Sequence, residues 1–181
     1  MKKFVFATLM CVVAMSAKAQ VLTSESVNNV FDKMIHSSKS NFAYNVEMNG
    51  NDITTMYVYK VKTTGNGLET LRQHMKYDYT YAADGTLTSK VTYHWNSDQN
   101  DWVCAARYDY TLGMDTYTVE YSRYNRKTDS FDQPVDKIVY SLIPFDDVNN
   151  VSNYHREDSS SQFQLVSEMQ VINLPILFAK K

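Results

Sequence analysis

From residue 42 onward, apolar and polar side chains alternate along the chain. The first such segment runs from Phe42 to Met48, and Asn49-Gly50 then supplies the positive φ angles of a tight hairpin turn. The alternation returns in one segment after another, separated by short turns with glycine or by longer polar loops. Strands this close in sequence pair antiparallel, because a parallel pair needs a long crossover connection. The pattern predicts a mainly β protein, with hairpin repeats over about residues 42–143 that form an antiparallel meander sheet of about eight or nine strands, strongly twisted or curled.

One segment before the sheet has a helical period instead. Its apolar residues recur at spacings of three and four, which places them on one stripe of a helix: Val27, Val30, Phe31, Met34 and Ile35. Thr23 or Ser24 is suited to cap the free amides at its start, and Ser37-Ser38 ends it. We therefore predict one N-terminal amphipathic helix over residues 24–38, packed on the sheet.

The C-terminal part is predicted to begin with a polar loop at residues 146–161 and to continue with strand structure at residues 162–178. Apolar residues alternate again from Phe163 to Val171. Pro175 interrupts the apolar run that follows, so the last residues form either a short edge strand or a tail.

Two phrases of the middle region are repeated. Residues 76–81 read KYDYTY and return as RYDYTL at residues 107–112. The second phrase is an aromatic residue, an asparagine, five polar residues and another aromatic residue, in the stretches Trp95-Asn96 to Trp102 and Tyr124-Asn125 to Phe131. Repetition of this kind specifies a repeated β-hairpin unit and no chemistry.

Alternation also predicts how the side chains divide between the two faces of the sheet. The tyrosines of residues 76–81 share one face of their strand, and the charged residues share the other. Val91, Tyr93 and Trp95 are assigned to the same aromatic face of the sheet by the same alternation. The sequence thus predicts one aromatic face and one polar face, with the aromatic face covered by the helix and by the curl of the sheet. Aromatic surface that stays uncovered would be a binding surface.

The first 19 residues have the pattern of a cleaved signal peptide. Lys2 and Lys3 precede an apolar run of 12 residues, which is shorter than the roughly 20 that a membrane-spanning helix needs. Ala17-Lys18-Ala19 forms a small-x-small cleavage site, so the mature chain is expected to begin at Gln20. We expect residues 20–181 to form a single β-rich domain that is exported, either to the periplasm or out of the cell.

Cleavage changes the charge and the cysteine count. It removes three lysines, so the formal net charge goes from −2 to −5. An acidic chain gains nothing from phosphate backbones or anionic lipid, so nucleic acid and membrane insertion are not expected. Cleavage also removes Cys11 and leaves Cys104 without an intramolecular disulfide partner. Cys104 lies in a predicted strand and is read as a small apolar core residue.

The sequence shows no constellation of catalytic or metal-binding residues. None of the four histidines has a second histidine or cysteine at ligand spacing, and no glycine-rich phosphate loop is present. The carboxylates fall mostly in predicted loops, where they serve solubility and turn chemistry. The chain is therefore expected to have no catalytic residues, no cofactor and no metal.

A ligand is expected to contact the two longer polar loops, because a two-residue turn would have been enough to connect these strands. The candidate ligand-stacking residues are Trp95, Trp102, Tyr124 and Phe131, and the candidate polar contacts are Asp98, Asn100 and Asp101. Three functions stay open. The first is a non-enzymatic binding or structural module for an envelope protein. The second is a carbohydrate-binding module that uses tryptophan and tyrosine, and the third is a carboxylate-dependent hydrolase.

The series Tyr-x-Tyr, Asp84-Gly85-x-Leu87, Tyr93-x-Trp95-Asn96, Trp102 and Arg107-Tyr108-Asp109-Tyr110 resembles hairpin repeats in secreted proteins of gut bacteria of the Bacteroides type. The likeness covers roughly residues 77–140, and the whole chain resembles a small domain-of-unknown-function family of such proteins, with tyrosine-rich hairpin repeats of the YD kind. The resemblance implies a fold and an exported location, and it implies no activity.

Overall fold

The computed structural model describes residues 21–36, 41–141 and 148–172, and this part of the chain forms an antiparallel sheet with a helix packed on it. The elements are α1 (Ser24–Ile35), β1 (Phe42–Asn49), β2 (Asp52–Thr63), β3 (Glu69–Tyr81), β4 (Leu87–Asn96), β5 (Asp101–Leu112), β6 (Thr116–Asn125), β7 (Ser130–Phe131), β8 (Asp136–Ser141), β9 (Val148–His155) and β10 (Gln164–Ile172).

The strands lie in the sheet in the order in which they occur in the chain. The order is β1-β2-β3-β4-β5-β6-β8-β9-β10, and the two-residue β7 pairs with the end of β6. This confirms a mainly β fold with an antiparallel meander. Among the described residues the sheet has ten strands, against the eight or nine predicted, and it is open, with β1 and β10 at its edges.

Strand β9 corrects the prediction of a polar loop at residues 146–161. Its composition is polar, yet it pairs with β8 on one side and β10 on the other. The polar side chains find partners across the ladder: Asn153 Nδ2 donates to Ser167 Oγ at 3.0 Å, and Ser152 Oγ donates to a Glu168 carboxylate oxygen at 3.3 Å. Pairing thus overrides the weak strand propensity of Asn and Ser. The predicted edge strand or tail after residue 172 lies outside the described residues, as does the predicted signal peptide.

The helix is fixed at its start by a capping box. The Thr23 hydroxyl accepts from the backbone N–H of Ser26, and the Ser26 hydroxyl accepts from that of Thr23. The first residues also bond to the turn between β3 and β4, because Ser24 N donates to Gly85 O at 3.0 Å and Leu87 N to Leu22 O at 2.9 Å. The helix ends at Ile35, and the predicted end at Ser37-Ser38 lies outside the described residues.

The core lies between the helix and the first four strands. Its buried residues are Val27, Ile53, Met56 and Leu87. Half-buried side chains of the helix and of three tyrosine-bearing strands pack against them, among them Phe31, Met34, Tyr44, Tyr77, Tyr79, Tyr81 and Tyr110. The N-terminal helix therefore covers one part of one face of the sheet, as the amphipathic stripe predicts.

The division of side chains between the faces differs from the prediction. Directly paired residues of neighbouring strands share a face, and the register pairs Tyr77 with Thr92 and Lys76 with Tyr93. Tyr93 and Trp95 therefore lie on the face opposite the β3 tyrosines. The cause is a bulge: Thr80 pairs with Ser89 and Tyr81 with Leu87, which skips Thr88 and reverses the alternation of β4.

Aromatic rings consequently lie on both faces of the sheet. We call the side that carries Met56, Tyr77, Tyr79 and Tyr110, against which α1 packs, the helix face. We call the other side the far face, and its members on strands β2 to β7 include Tyr57, Lys76, Asp78, Tyr93, Trp95, Trp102, Cys104, Arg107, Asp109, Ser122, Tyr124 and Phe131.

Candidate ligand-binding face

The repeated KYDYTY and RYDYTL phrases build the same contact twice on the far face. Lys76 Nζ lies 3.0 Å from Asp78 Oδ2 and 4.0 Å from the centroid of the Tyr93 ring. In the second copy, Arg107 Nε lies 2.8 Å from Asp109 Oδ2, and the guanidinium carbon lies 4.7 Å from the centroid of the Phe131 ring. Each copy thus combines an ion pair between residues i and i+2 with a cation–π contact to another strand.

The two longer loops also share one design. Asn96 and Asn125 end their strands, and each side-chain oxygen accepts a backbone N–H two residues on, at 3.0 Å in both loops. Four residues after each asparagine the chain has a positive φ, 52° at Asn100 and 53° at Asp129. In the second loop the Tyr124 hydroxyl donates to the Asp129 carboxylate, and this bond raises the pKa of Tyr124.

Each loop is flanked by an edge-to-face aromatic pair. The Trp95 and Trp102 ring centroids are 5.1 Å apart with 70° between the planes, and those of Tyr124 and Phe131 are 5.4 Å apart with 72°. The Tyr57 ring of β2 lies 6.0 Å from that of Trp102. All four predicted stacking residues therefore lie on the far face, and each is half-buried, so part of each ring is open to solvent.

The three predicted polar contacts are exposed, Asp98 and Asn100 in the first loop and Asp101 at the start of β5. Asp101 Oδ1 accepts the backbone N–H of Trp102 at 2.7 Å, and Asn100 holds the left-handed turn conformation. The backbone N–H of Asp98 donates to the Asn96 side chain. Asn100 and the Asp101 side chain thus have a role in shaping the loop itself.

This surface also includes four residues that alternation and the loop pattern did not predict as members: Tyr57, Lys76, Tyr93 and Arg107. The alternation of the KYDYTY phrase places its lysine opposite its tyrosines, and the bulge that brings Tyr93 beside Lys76 has no signal in the sequence. Burial, the nearby Asp78 charge and a hydrogen bond to Asp78 raise the pKa of Tyr93 to about 12. Burial and a hydrogen bond to Glu47 raise the pKa of Tyr57 to about 12 as well.

The charges of the far face are largely paired with one another. Asp78 accepts from both Lys76 Nζ and Thr55 Oγ1, each at 3.0 Å. Arg107 is paired with Asp109 in the same way. Ser122, the cross-strand partner of Arg107, is only 1% exposed, so this part of the far face has a packed layer of its own.

The helix face carries a half-buried lysine. Lys90 is the cross-strand partner of Tyr79 and Tyr108, and its Nζ lies 4.3 Å from the centroid of the Tyr108 ring. Within the described residues no carboxylate pairs with it. Burial lowers the pKa of Lys90 to about 8.

Two other features are absent from the described ranges. They contain no group of three or more His, Cys, Asp or Glu side chains arranged to hold a metal ion. No helix within them has the length and apolar character needed to cross a membrane. Cys104 is a free thiol, half-buried on the far face, and burial raises its pKa.

The chain is similar to solved structures of proteins from three bacterial species. A protein with unknown function from Bacteroides fragilis matches with a TM-score of 0.62 and 24% identity, over 72% of this chain and 92% of that one. A DUF3836 family protein from Bacteroides vulgatus has a TM-score of 0.47 and 28% identity over 51% of this chain and 89% of that one. One from Parabacteroides distasonis has a TM-score of 0.48 and 18% identity over 56% and 90%.

The family described as "Family of unknown function (DUF3836)" matches residues 1–142. A search of curated proteins gave no match. The predicted resemblance to a domain-of-unknown-function family of Bacteroides-type bacteria is confirmed, and the relation of the hairpins to YD repeats stays a prediction.

Proposed function

The chain belongs to the DUF3836 family, a family of unknown function, and we propose that it is an exported β-domain without catalytic activity that binds its partner through the far face. The proposal names a surface and a location, and each has its own support and its own test.

The main support is the aromatic layer of the far face. The rings of Trp95, Trp102, Tyr124 and Phe131 are half-buried, and the helix that covers tyrosines elsewhere lies on the opposite side of the sheet. Aromatic surface of this kind is costly to leave in water and is typical of contact surfaces, where a ring provides apolar area and a polar edge.

The absence of catalysis is supported by how the far-face charges are used. A general acid or base needs a group whose proton is available at the working pH. Asp78 and Asp109 instead each form an ion pair with a basic side chain at 3.0 Å or less. Carboxylates held in ion pairs suit a binding surface better than proton transfer.

Export is supported by the first 19 residues. A basic start, a short apolar run and the Ala17-Lys18-Ala19 site form the sequence pattern of a cleaved signal peptide. Mass spectrometry of the protein isolated from the producing cells is expected to find Gln20 as the first residue, in the periplasm or medium. A full-length chain that stays in the cytoplasm would contradict the location.

The binding surface is tested by paired substitutions on the two faces. Immobilised Trp102→Ala and Tyr121→Ala are compared with the unaltered chain for the material that each retains from a cell-envelope extract. Tyr121 is a matched control, because it is half-buried in a ring pair with Tyr108 on the helix face, 5.2 Å between centroids.

We expect Trp102→Ala to lose most of the retained material and Tyr121→Ala to keep it. Equal retention by both variants, with circular dichroism showing that both are folded, would count against the far face. So would a loss confined to Tyr121→Ala.

A further inference from the structure

We propose that the ligand of the far face is an uncharged polysaccharide chain that lies across the strands. This inference rests on the proposed function, since it names the chemistry of the ligand for the same surface.

The aromatic residues of the far face form an extended row. Tyr57 lies on β2, Tyr93 and Trp95 on β4, Trp102 on β5, Tyr124 on β6 and Phe131 on β7. Tyr57 and Trp102 lie on strands separated by β3 and β4, yet their ring centroids are 6.0 Å apart, so the rings are drawn together into one continuous surface. A continuous surface with rings from five strands offers several stacking positions, which fits a polymer better than a small molecule.

The row alternates rings with hydrogen-bonding groups. The Asp78 carboxylate lies beside the Tyr93 ring, and Arg107 joins the Asp109 carboxylate to the Phe131 ring. A sugar ring has an apolar C–H side that packs on an aromatic ring and a rim of hydroxyls that donate to carboxylates. Ionised carboxylates have room for such bonds, because their two oxygens accept up to about four hydrogen bonds.

The charge pattern favours an uncharged ligand. Lys76 and Arg107 are each neutralised by an aspartate within 3.0 Å, so an anionic polymer meets as much negative as positive charge along the row. The net charge of −5 expected for the mature chain adds a repulsion at longer range. Neither term opposes a neutral polysaccharide.

A peptide partner fits this surface less well. An extended peptide gains its affinity from backbone hydrogen bonds to a sheet edge, and the far face offers none. An apolar protein surface would bury the Lys76–Asp78 and Arg107–Asp109 pairs, at the cost of removing four charges from water. The hydroxyl groups of a polysaccharide would instead replace the lost water by forming hydrogen bonds to these charged side chains.

The test uses the mature chain and three probe polymers: an uncharged glucan, a polyuronate and a sulfated polysaccharide. Calorimetry is expected to show binding of the uncharged polymer that changes little between low and high salt, since no charge is neutralised. Affinity for oligosaccharides of that polymer is expected to rise with length and then level off when the row is filled.

Substitutions at separate positions of the row complete the test. Trp102→Ala and Phe131→Ala are each expected to weaken binding about tenfold, and Tyr121→Ala on the helix face to leave it unchanged. Because Trp102 and Phe131 lie in different aromatic pairs, a folding defect of one variant does not remove the test.

The outcomes distinguish a wrong ligand assignment from a wrong binding surface. Preference for a charged polymer, binding that salt abolishes, or no polysaccharide binding overturns the ligand assignment. If no polysaccharide binds and Trp102→Ala still fails to retain envelope material, the far face remains the binding surface and the partner is a protein. Polysaccharide binding indifferent to both Trp102→Ala and Phe131→Ala overturns the ligand assignment and the surface together.

Discussion

At the scale of single residues, the repeated phrase is divided between the two faces by alternation alone. Tyr77 and Tyr79 enter the core beside the helix, while Lys76 and Asp78 form an ion pair on the far face. The sequence predicted which of these residues share a side of their own strand. It did not predict that Lys76 lies over the Tyr93 ring, because that contact depends on the register with β4.

Lys90 links a single residue to the pH dependence of stability. Its folded pKa of about 8 lies below the ordinary value of 10.5, because burial disfavours the charged amine. The unfolded chain therefore binds more protons than the folded one between these two values, so the free energy of unfolding rises as the pH rises through this range. Below about pH 8 the full cost of holding the charge is present.

We expect Lys90→Met to abolish this pH dependence. From pH 7 to 9 the free energy of unfolding of the unaltered chain should rise relative to Lys90→Met by about 1 kcal/mol. Urea unfolding of both proteins at the two pH values measures it. Burial also raises the pKa of Tyr108 to about 12, which lowers stability only above about pH 10 and so outside the range compared. A difference that stays constant with pH would contradict the prediction.

At the scale of elements, period-two alternation predicted the strands well and their faces in part. Two bulges explain the difference. One skips Thr88, so Leu87 packs in the core while Tyr93 and Trp95 point to the far face. The other skips Ala105, because Thr92 pairs with Ala106 and Tyr93 with Cys104, and it places Trp102 on the far face as well.

A bulge needs one extra residue and no special side chain, so Thr88 and Ala105 give no signal in a single sequence. For the same reason the candidate stacking residues were identifiable as aromatic, but not as members of one surface with Tyr57. The polar strand β9 was not predicted for a different reason. Its stability comes from pairing with β8 and β10 rather than from its composition.

The packing of the helix on the sheet is tested at Leu87, which is 2% exposed. Leu87→Ala is expected to lower the free energy of unfolding by about 2–5 kcal/mol, because it leaves a cavity below the helix. Leu112→Ala is the matched control: the same change at a side chain that is 49% exposed should cost less than about 0.5 kcal/mol. Chemical denaturation of both variants decides, and equal losses would place the core elsewhere.

At the scale of the whole molecule, the open sheet leaves two edges among the described residues. Natural edges are often guarded by lysine or proline, which discourage pairing with another chain. Strand β10 has neither, and Glu168 is its one charged residue. Leu165, Val166 and Met169 on the same strand are about half exposed or more, at 55%, 61% and 47%.

We expect Val166→Lys to slow aggregation of the concentrated protein without changing its free energy of unfolding. The residue lies at a register shift, where it has no partner on β9, so a charge there disturbs no native pair. Light scattering over time measures the effect, and Val166→Thr, which keeps the branched shape, should slow aggregation less. An unchanged rate for Val166→Lys would show that this edge is not where the chains associate.

The order of the strands bears on how the chain folds. Apart from the short β7, each strand pairs with the strand that precedes it in the chain, so the sheet grows by addition at one side. Pairing between sequence neighbours keeps contacts local, and local contacts fold quickly. An exported chain, as we propose this one to be, is therefore able to build each hairpin as its second strand emerges from the membrane. The helix alone must wait, because its anchors at Gly85 and Leu87 arrive with the fourth strand.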